Sequence, residues 1–399
     1  MPDLDGRRLW FAGIGGAGLS GYAIVSRAWG ADVSGWDRKE TPYLAHVREA
    51  GIPVTVAPEA PEPPAGVEVV VSTAYAGKVE GRSRAEFLAE LVALRRAIVV
   101  GGAHGKTTTA AMIAYCLDRL GDDPSFLIGG EVRQLGGNAR AGEGWLVVEG
   151  DESDGTVFSL PADIAVVTNV DLDHHTEFSS TAELEARFEE WAASIGEGRV
   201  VWGRDVEPVD IELGVPGLHN RLNAGCALAA LELAGFEWAA AAEAIAGFAG
   251  AGRRLEQHGS AGDVLLVDDY AHHPAELAAT IAAARTLAEG RLVVLFQPHL
   301  YSRTIHVGRE LGAALAAADA AVVTEIYAAR EEPVAGVSGK LVVDSAAEAR
   351  PGMPVGRAPV LGDAARLTAS LARPGGVVLT VGAGDIDGAI PLLQDALSP

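Results

Sequence analysis

The sequence predicts an α/β protein of mostly parallel sheets, divided into three domains. Short apolar runs alternate with alanine-rich helical stretches along the whole chain, the pattern of strands joined by crossover helices. Two glycine-rich turns, at 13–18 and 101–105, each stand between an apolar run and a helical one, where α/β folds place their ligands. A length of 399 residues calls for more than one core, and an apolar content of 49% supplies them.

In chain order, residues 9–12 predict the first strand, followed by Gly13-Ile14-Gly15-Gly16-Ala17-Gly18 and a helix to about residue 29. A strand over 32–35 leads to Asp37, where an acid often meets a ribose hydroxyl. This fingerprint alone reads equally as a nucleotide site or as tight helix–strand packing. A proline-rich loop covers 53–64, and a strand over 67–72 ends in Ser72. A helix over 86–95 closes the first domain, 1–95.

The second domain, 96–254, opens on a buried strand over 97–100 and a helix over 110–120. Between them lies Gly101-Gly102-Ala103-His104-Gly105-Lys106-Thr107-Thr108. A glycine turn before a helix points backbone N–H groups at an anion, and the helix dipole adds positive charge. Lys106 offers an ammonium for terminal phosphates and Thr107 a hydroxyl for Mg²⁺. The generic phosphate loop has glycine where Val100 stands, and an ordinary glycine turn is the plain alternative. Two such turns in one chain suggest that something is joined or transferred between two bound nucleotides.

Carboxylates and imidazoles cluster after the later apolar runs. Glu149-Gly150-Asp151-Glu152-Ser153-Asp154 follows 145–148, and Glu149 is placed as a metal ligand of a phosphate-loop enzyme would be. The run 164–168 leads to Asp173-His174-His175, which suggests a second cation or proton handling. His219-Asn220-Arg221-Leu222-Asn223 begins a helix, and capping and base contact are equal readings. Arg253-Arg254 marks the boundary to the third domain, 255–399, as a surface pair or a phosphate contact. There Asp268-Asp269-Tyr270-Ala271-His272-His273-Pro274 follows a strand over 264–268, and Gln297-Pro298-His299-Leu300-Tyr301-Ser302-Arg303 follows one over 291–296. Further strands are expected over 321–324 and 377–381, the last leading to Gly382-Ala383-Gly384-Asp385.

A net charge of −23 argues against nucleic acid as a partner. Cys116 and Cys226 both fall in apolar helical patterns, as reduced core thiols do. With no leader pattern and no apolar run of spanning length, no membrane insertion and a cytoplasmic location are expected.

Taken in order, these motifs resemble the Mur ligase family, from residue 9 to about 384. Each motif is weak, and the ordered set is specific. The resemblance implies a Rossmann-like UDP-sugar domain, a phosphate-loop ATPase domain and a Rossmann-like amino-acid domain. It implies ATP and Mg²⁺ as cofactors, and UDP-N-acetylmuramate and L-alanine as substrates, in a monomer or homodimer. Gly13, Gly15, Gly16 and Gly18 would face the UDP diphosphate, with Asp37 and Ser72 in the same substrate site. Gly102, His104, Gly105, Lys106, Thr107 and Thr108 would cradle ATP, with Lys106 on the γ-phosphate. Thr107 and Glu149 would bind one Mg²⁺ and His174 a second. His219, Asn220, Asn223 and Tyr270 would lie about the adenine, and Arg254 would touch phosphate as the domains close. His272 and Arg303 would place the alanine. The implied reaction phosphorylates the lactyl carboxylate, and the amine of alanine then attacks the acyl phosphate.

The chain departs from the family pattern at several points. Ala103 stands where a threonine is usual, and Leu300 where an arginine is common, which shifts alanine placement toward Arg303. No lysine occurs between Lys106 and Lys340, so no carbamylated lysine bridges the metals. The spans 72–84 and 175–216 are short, which predicts a trimmed central domain. Three other readings are a ligase that recycles murein peptides, a nicotinamide-dependent oxidoreductase and a non-catalytic nucleotide-binding paralogue. The stretch 325–331 and Phe296-Gln297-Pro298-His299 oppose the first, the phosphate loop the second, and retention of Lys106, Thr107, Glu149 and His174 the third.

Overall fold

The computed structural model describes residues 4–171, 178, 180–329 and 331–398. His174 and its neighbours 172–177 lie outside the described residues. The chain packs as two compact units, one of residues 1–214 and 221–251, the other of 215–220 and 252–399.

The first unit carries two sheets. One is built from β1 (Arg8–Ala12), β2 (Asp32–Asp37), β3 (Val54–Val56), β4 (Glu68–Val71) and β5 (Arg82–Ser83), in the spatial order β3-β2-β1-β4-β5. All its pairs are parallel. Helices α1 (Ala17–Ala28), α2 (Tyr43–Glu49) and α3 (Arg84–Ala93) connect the strands. The α3 start is fixed by a capping box in which Ser83 and Glu86 satisfy each other's backbone N–H groups. The order reverses between β1 and β4, and this opens a crevice beyond their carboxyl ends.

The second sheet contains β6 (Ala97–Gly101), β7 (Ser125–Val132), β8 (Gly137–Arg140), β9 (Leu146–Glu149), β10 (Ile164–Val167) and β11 (Val200–Trp202), in the order β11-β10-β6-β9-β7-β8. Strand β6 is buried throughout its length, as a central parallel strand covered on both faces must be. It lies between β9 and β10, so the turns after these three strands meet. Helices α4 (Lys106–Arg119), α5 (Thr181–Ile195), α6 (Leu218–Leu233) and α7 (Trp238–Ala246) follow. The antiparallel β7–β8 hairpin was not foreseen from the sequence; its Gly-rich strand pattern does not alternate. Both sheets share one apolar core, running from Leu4 and Phe11 to Phe188 and Trp191. Phe188 packs edge-on against Phe158 at 5.1 Å between centroids and touches Trp191 at 6.4 Å. Cys116 and Cys226 are free and buried, and burial pushes their thiols up to about 12 and about 11.

The second unit has one sheet, of β12 (Glu256–Ala261), β13 (Val264–Asp269), β14 (Leu292–Phe296), β15 (Ala320–Val323), β16 (Val355–Arg357) and β17 (Val377–Val381), in the order β12-β13-β17-β14-β15-β16. Only the edge strand β12 is antiparallel. Its polar sequence gave no strand signal. Along β14, Leu292, Val294 and Phe296 face one core while Val293 and Leu295 face another, the two-residue alternation of a sheet covered on both sides. Helices α8 (Pro274–Leu287), α9 (Tyr301–Leu315), α10 (Lys340–Ala349), α11 (Leu361–Leu371) and α12 (Ala389–Leu397) supply the cover. Among the described residues no helix is long and apolar enough to cross a membrane.

Phe188 is fully buried and fills the space beneath Gly101, where the phosphate-loop strand ends. Phe188→Ala is expected to destabilise the first unit by about 3–5 kcal/mol, measured as a loss of urea resistance by tryptophan fluorescence.

Candidate functional site

The first glycine turn is built by exclusion of side chains. Gly13 has φ +87°, and a Cβ there would lie 2.8 Å from the Tyr75 ring and 2.9 Å from Ser72 Cβ. Only glycine meets both demands. Ser72 accepts a 3.4 Å bond from Ala74 N and caps the short turn that holds Tyr75. Gly16 begins α1, and Gly18 stands in its first turn beside the Arg84 guanidinium. Asp37 has a task that sequence reasoning missed. Its Oδ2 accepts from Gly15 N at 2.9 Å and its Oδ1 from Arg38 N at 2.7 Å. The Thr41 hydroxyl completes the brace by donating to Gly15 O at 2.8 Å.

The second turn leaves β6 through Gly102 at φ +121° and enters α4 through Gly105 at φ +78°. Thr168 and Asn169, at the end of neighbouring β10, pin it from below. The Thr168 hydroxyl donates to His104 O at 2.7 Å, Asn169 Nδ2 donates to the same oxygen at 2.8 Å, and His104 N donates to Asn169 Oδ1 at 2.9 Å. Asn223 lies against Gly105, where any Cβ would strike its amide. Thr108 is buried in the first turn of α4. The Thr107 hydroxyl donates to Glu149 at 2.9 Å from Oε1, and Gly129 N donates to Glu149 Oε2 at 2.7 Å. Hydroxyl and carboxylate therefore converge, as hard-cation ligands do.

Lys106 Nζ donates to Gly102 O at 2.7 Å, Ala103 O at 3.0 Å and Glu152 Oε2 at 2.7 Å. Burial disfavours the ammonium, but Glu152, Asp151 and Glu149 outweigh it and hold Lys106 above its ordinary value. Burial pushes the Glu152 carboxyl up. Sequence reasoning placed Glu152 in an acidic loop without assigning it this contact.

In the second unit, Arg253 and Arg254 part ways. Arg253, at φ +56°, donates through Nε to Asp268 Oδ2 at 2.9 Å and through Nη2 and Nη1 to Gly382 O at 2.6 Å and Gly384 O at 2.9 Å. It is a structural clamp between β13 and the turn after β17. Arg254 lies over the Tyr270 ring at 5.3 Å. Asp269, fully buried, accepts from Leu255 N and Ala271 N at 2.8 Å each and fixes this turn. Asn220, inside the first turn of α6, donates through Nδ2 to Pro216 O at 2.7 Å and so braces the chain that enters the helix.

Beyond the carboxyl ends of β13 and β14, His272, His299, Arg303 and Tyr327 come together. His272 Nδ1 lies 3.0 Å from Tyr270 O. The His272 and His299 rings are 5.9 Å apart, and His299 stacks on Tyr327 at 5.8 Å. Arg303 Nη1 is 3.0 Å from His299 Nδ1. Leu300 starts α9 at φ +67°. Tyr327 belongs to the stretch 325–331 that the sequence reading used to tell the family members apart, but it was given no site role there.

Family models for the Mur ligase family catalytic domain and for the Mur ligase glutamate ligase domain match residues 8–96 and 253–384. The UDP-N-acetylmuramate–L-alanine ligase of Mycobacterium sp. (strain JLS) is 38% identical, over 97% of this chain and 94% of its own length. The chain belongs to the Mur ligase family. A crystal structure of UDP-N-acetylmuramate–alanine ligase from Thermotoga maritima superposes on this Mur ligase with a TM-score of 0.81 at 26% identity, covering 97% of this chain and 98% of that one. A murein peptide ligase from Psychrobacter arcticus shares the fold, with a TM-score of 0.66 at 23% identity over 98% and 99% of the two chains. The mycobacterial alignment runs to 461 positions although this Mur ligase has 399 residues. The relative thus carries segments that this chain lacks.

His219 is held below its ordinary value of 6.5 by burial and then by Arg254. The unfolded chain therefore takes up this proton first, so stability falls as pH drops through 6.5 toward the native value. An NMR titration of the His219 ring is expected to show a midpoint below 6.5, and the His219→Gln variant to lose that part of the acid sensitivity.

Proposed function

We propose that this Mur ligase joins L-alanine to the lactyl carboxylate of UDP-N-acetylmuramate at the expense of ATP, in the synthesis of peptidoglycan precursors. Similarity to alanine ligases along nearly the whole chain carries the reading. The order of domains is read as 1–95 for the UDP-sugar, 96–254 for ATP and 255–399 for the amino acid. We assign the enzyme to the cytoplasm, as a monomer or homodimer.

A carboxylate is a poor electrophile, so one of its oxygens attacks the γ-phosphorus of ATP and ADP leaves. The amine of alanine then attacks the acyl carbon, an amide forms, and inorganic phosphate departs with the C–O bond electrons. Gly13, Gly15, Gly16 and Gly18 present backbone to the diphosphate of the sugar nucleotide, with Ser72 and Asp37 bordering that turn. Gly102, His104, Gly105 and Thr108 shape the ATP cradle, and Lys106 lends its charge to the γ-phosphate. Asn223, His219, Asn220 and Tyr270 belong to the base side of the nucleotide, and Arg254 to its phosphates. His272 and Arg303 receive the amino acid, Arg303 through its carboxylate.

The Thr107 hydroxyl and Glu149 carboxylate, within hydrogen-bond distance of each other, suit Mg²⁺, and His174 is assigned to a second ion. When bound, the metal neutralises charge gathered between two anions.

Phosphate release from Mg-ATP is expected to require both UDP-N-acetylmuramate and L-alanine, with a product heavier by one alanyl residue in mass spectrometry. Release with a peptide but not with alanine would move the assignment to recycling, and binding without release to a non-catalytic role. Lys106→Ala is expected to cut turnover by about 10³-fold or more with the far-UV circular dichroism unchanged, and normal turnover in it would sink the phosphate-loop assignment.

A further inference from the structure

Glu152 is only 2% exposed, three residues past the carboxylate read as a metal ligand. Its partner is the Lys106 ammonium, 2.7 Å away. An ammonium has three donors, and the carbonyls of Gly102 and Ala103 take the other two. Lys106 is thus fully engaged before any nucleotide is considered. The two carbonyls belong to the turn and move only with it. Glu152 is the partner that can be exchanged, and it is an anion.

We propose that Glu152 is an internal stand-in for the γ-phosphate: it neutralises Lys106 while the site is empty of nucleotide and is displaced from it when a nucleoside triphosphate enters. This rests on the reading of Lys106 as the γ-phosphate lysine. Burying an ammonium without a counter-ion costs several kcal/mol, and Glu152 removes that cost from the free enzyme. The same contact opposes triphosphate binding, because the incoming phosphate must compete with a carboxylate already seated and then lie near it. Once the transferred phosphoryl group has left as inorganic phosphate, only ADP remains, and the ammonium returns to Glu152. Glu152 is accordingly a positioning residue that weakens ATP binding while affecting ADP much less.

The test is calorimetric titration of the full-length protein with a non-hydrolysable ATP analogue and with ADP, in wild type, Glu152→Gln, Glu152→Asp and Lys106→Ala. Glu152→Gln is expected to tighten the analogue about tenfold, the size of one charged hydrogen bond, to change ADP affinity much less, and to lower the KM for ATP more than it changes kcat. A purely structural Glu152 would weaken both nucleotides together, and that result overturns the proposal. Should Glu152→Gln not fold, Glu152→Asp retains the charge on a shorter arm and is expected to tighten the analogue to a lesser degree; no tightening, or misfolding of both variants, again overturns it. If Lys106→Ala binds the analogue as tightly as wild type, the reading of Lys106 itself fails. If it binds weakly while Glu152→Gln shows no tightening, only the stand-in role is lost.

Discussion

Parallel pairing of fully buried strands is the constraint from which the rest of this structure follows. A strand such as β6, covered on both faces, has no room for a polar side chain along its length. Polar groups therefore gather mainly toward the ends of the strands and where the chain leaves the sheet. Because neighbouring strands run the same way, those exits lie side by side at the carboxyl edge. The glycine turn after β6 and the start of α4 therefore meet Glu149 at the end of β9 and Thr168 and Asn169 just after β10. At the same edge of the second unit, Arg253 joins Asp268, near the end of β13, to Gly382, just after β17.

The central strands and the turns after them were legible because apolar runs and glycines carry them. Strand β17 coincides with its sequence reading, and the other strands that were read differ by a residue or two. Strand β7 and the six edge strands β3, β5, β8, β11, β12 and β16 had no strand reading, and β3 corrects the reading of 53–64 as a loop. Two kinds of feature were not legible. Edge strands β8 and β12 form because a neighbour offers hydrogen bonds, and GNAR and EQHGSA show little apolar alternation of their own. Side-chain partners across the fold were equally hidden. Asp37 lies 22 residues from the glycine that it braces, and Glu152 lies 46 from Lys106. Sequence reasoning assigned Asp37 to a ribose because acids at that offset often serve so; its two oxygens here also hold the turn in shape. The adjacent arginines are a similar case. Nothing in the pair distinguishes them; both guanidinium groups lie over the Tyr270 ring, and Arg253, with backbone at φ +56°, also donates to the buried Asp268 carboxylate.

The departures from family pattern find a local physical account in one instance. At Ala103 the backbone carbonyl, not the side chain, contacts Lys106, so the methyl group leaves the turn's hydrogen bonding intact. The mycobacterial alignment is longer than this chain, and the sheet that carries β6 here has six strands.

The scarcity of lysine has a chemical consequence. The chain holds four lysines, at 39, 78, 106 and 340, and otherwise draws its positive charge from arginine. An acyl phosphate acylates whichever neutral amine reaches it first. Guanidinium groups stay protonated and are poor nucleophiles, and Lys106 is held as an ammonium by the carboxylates around it. Its basic residues are thus almost all arginine, a composition that disfavours self-acylation.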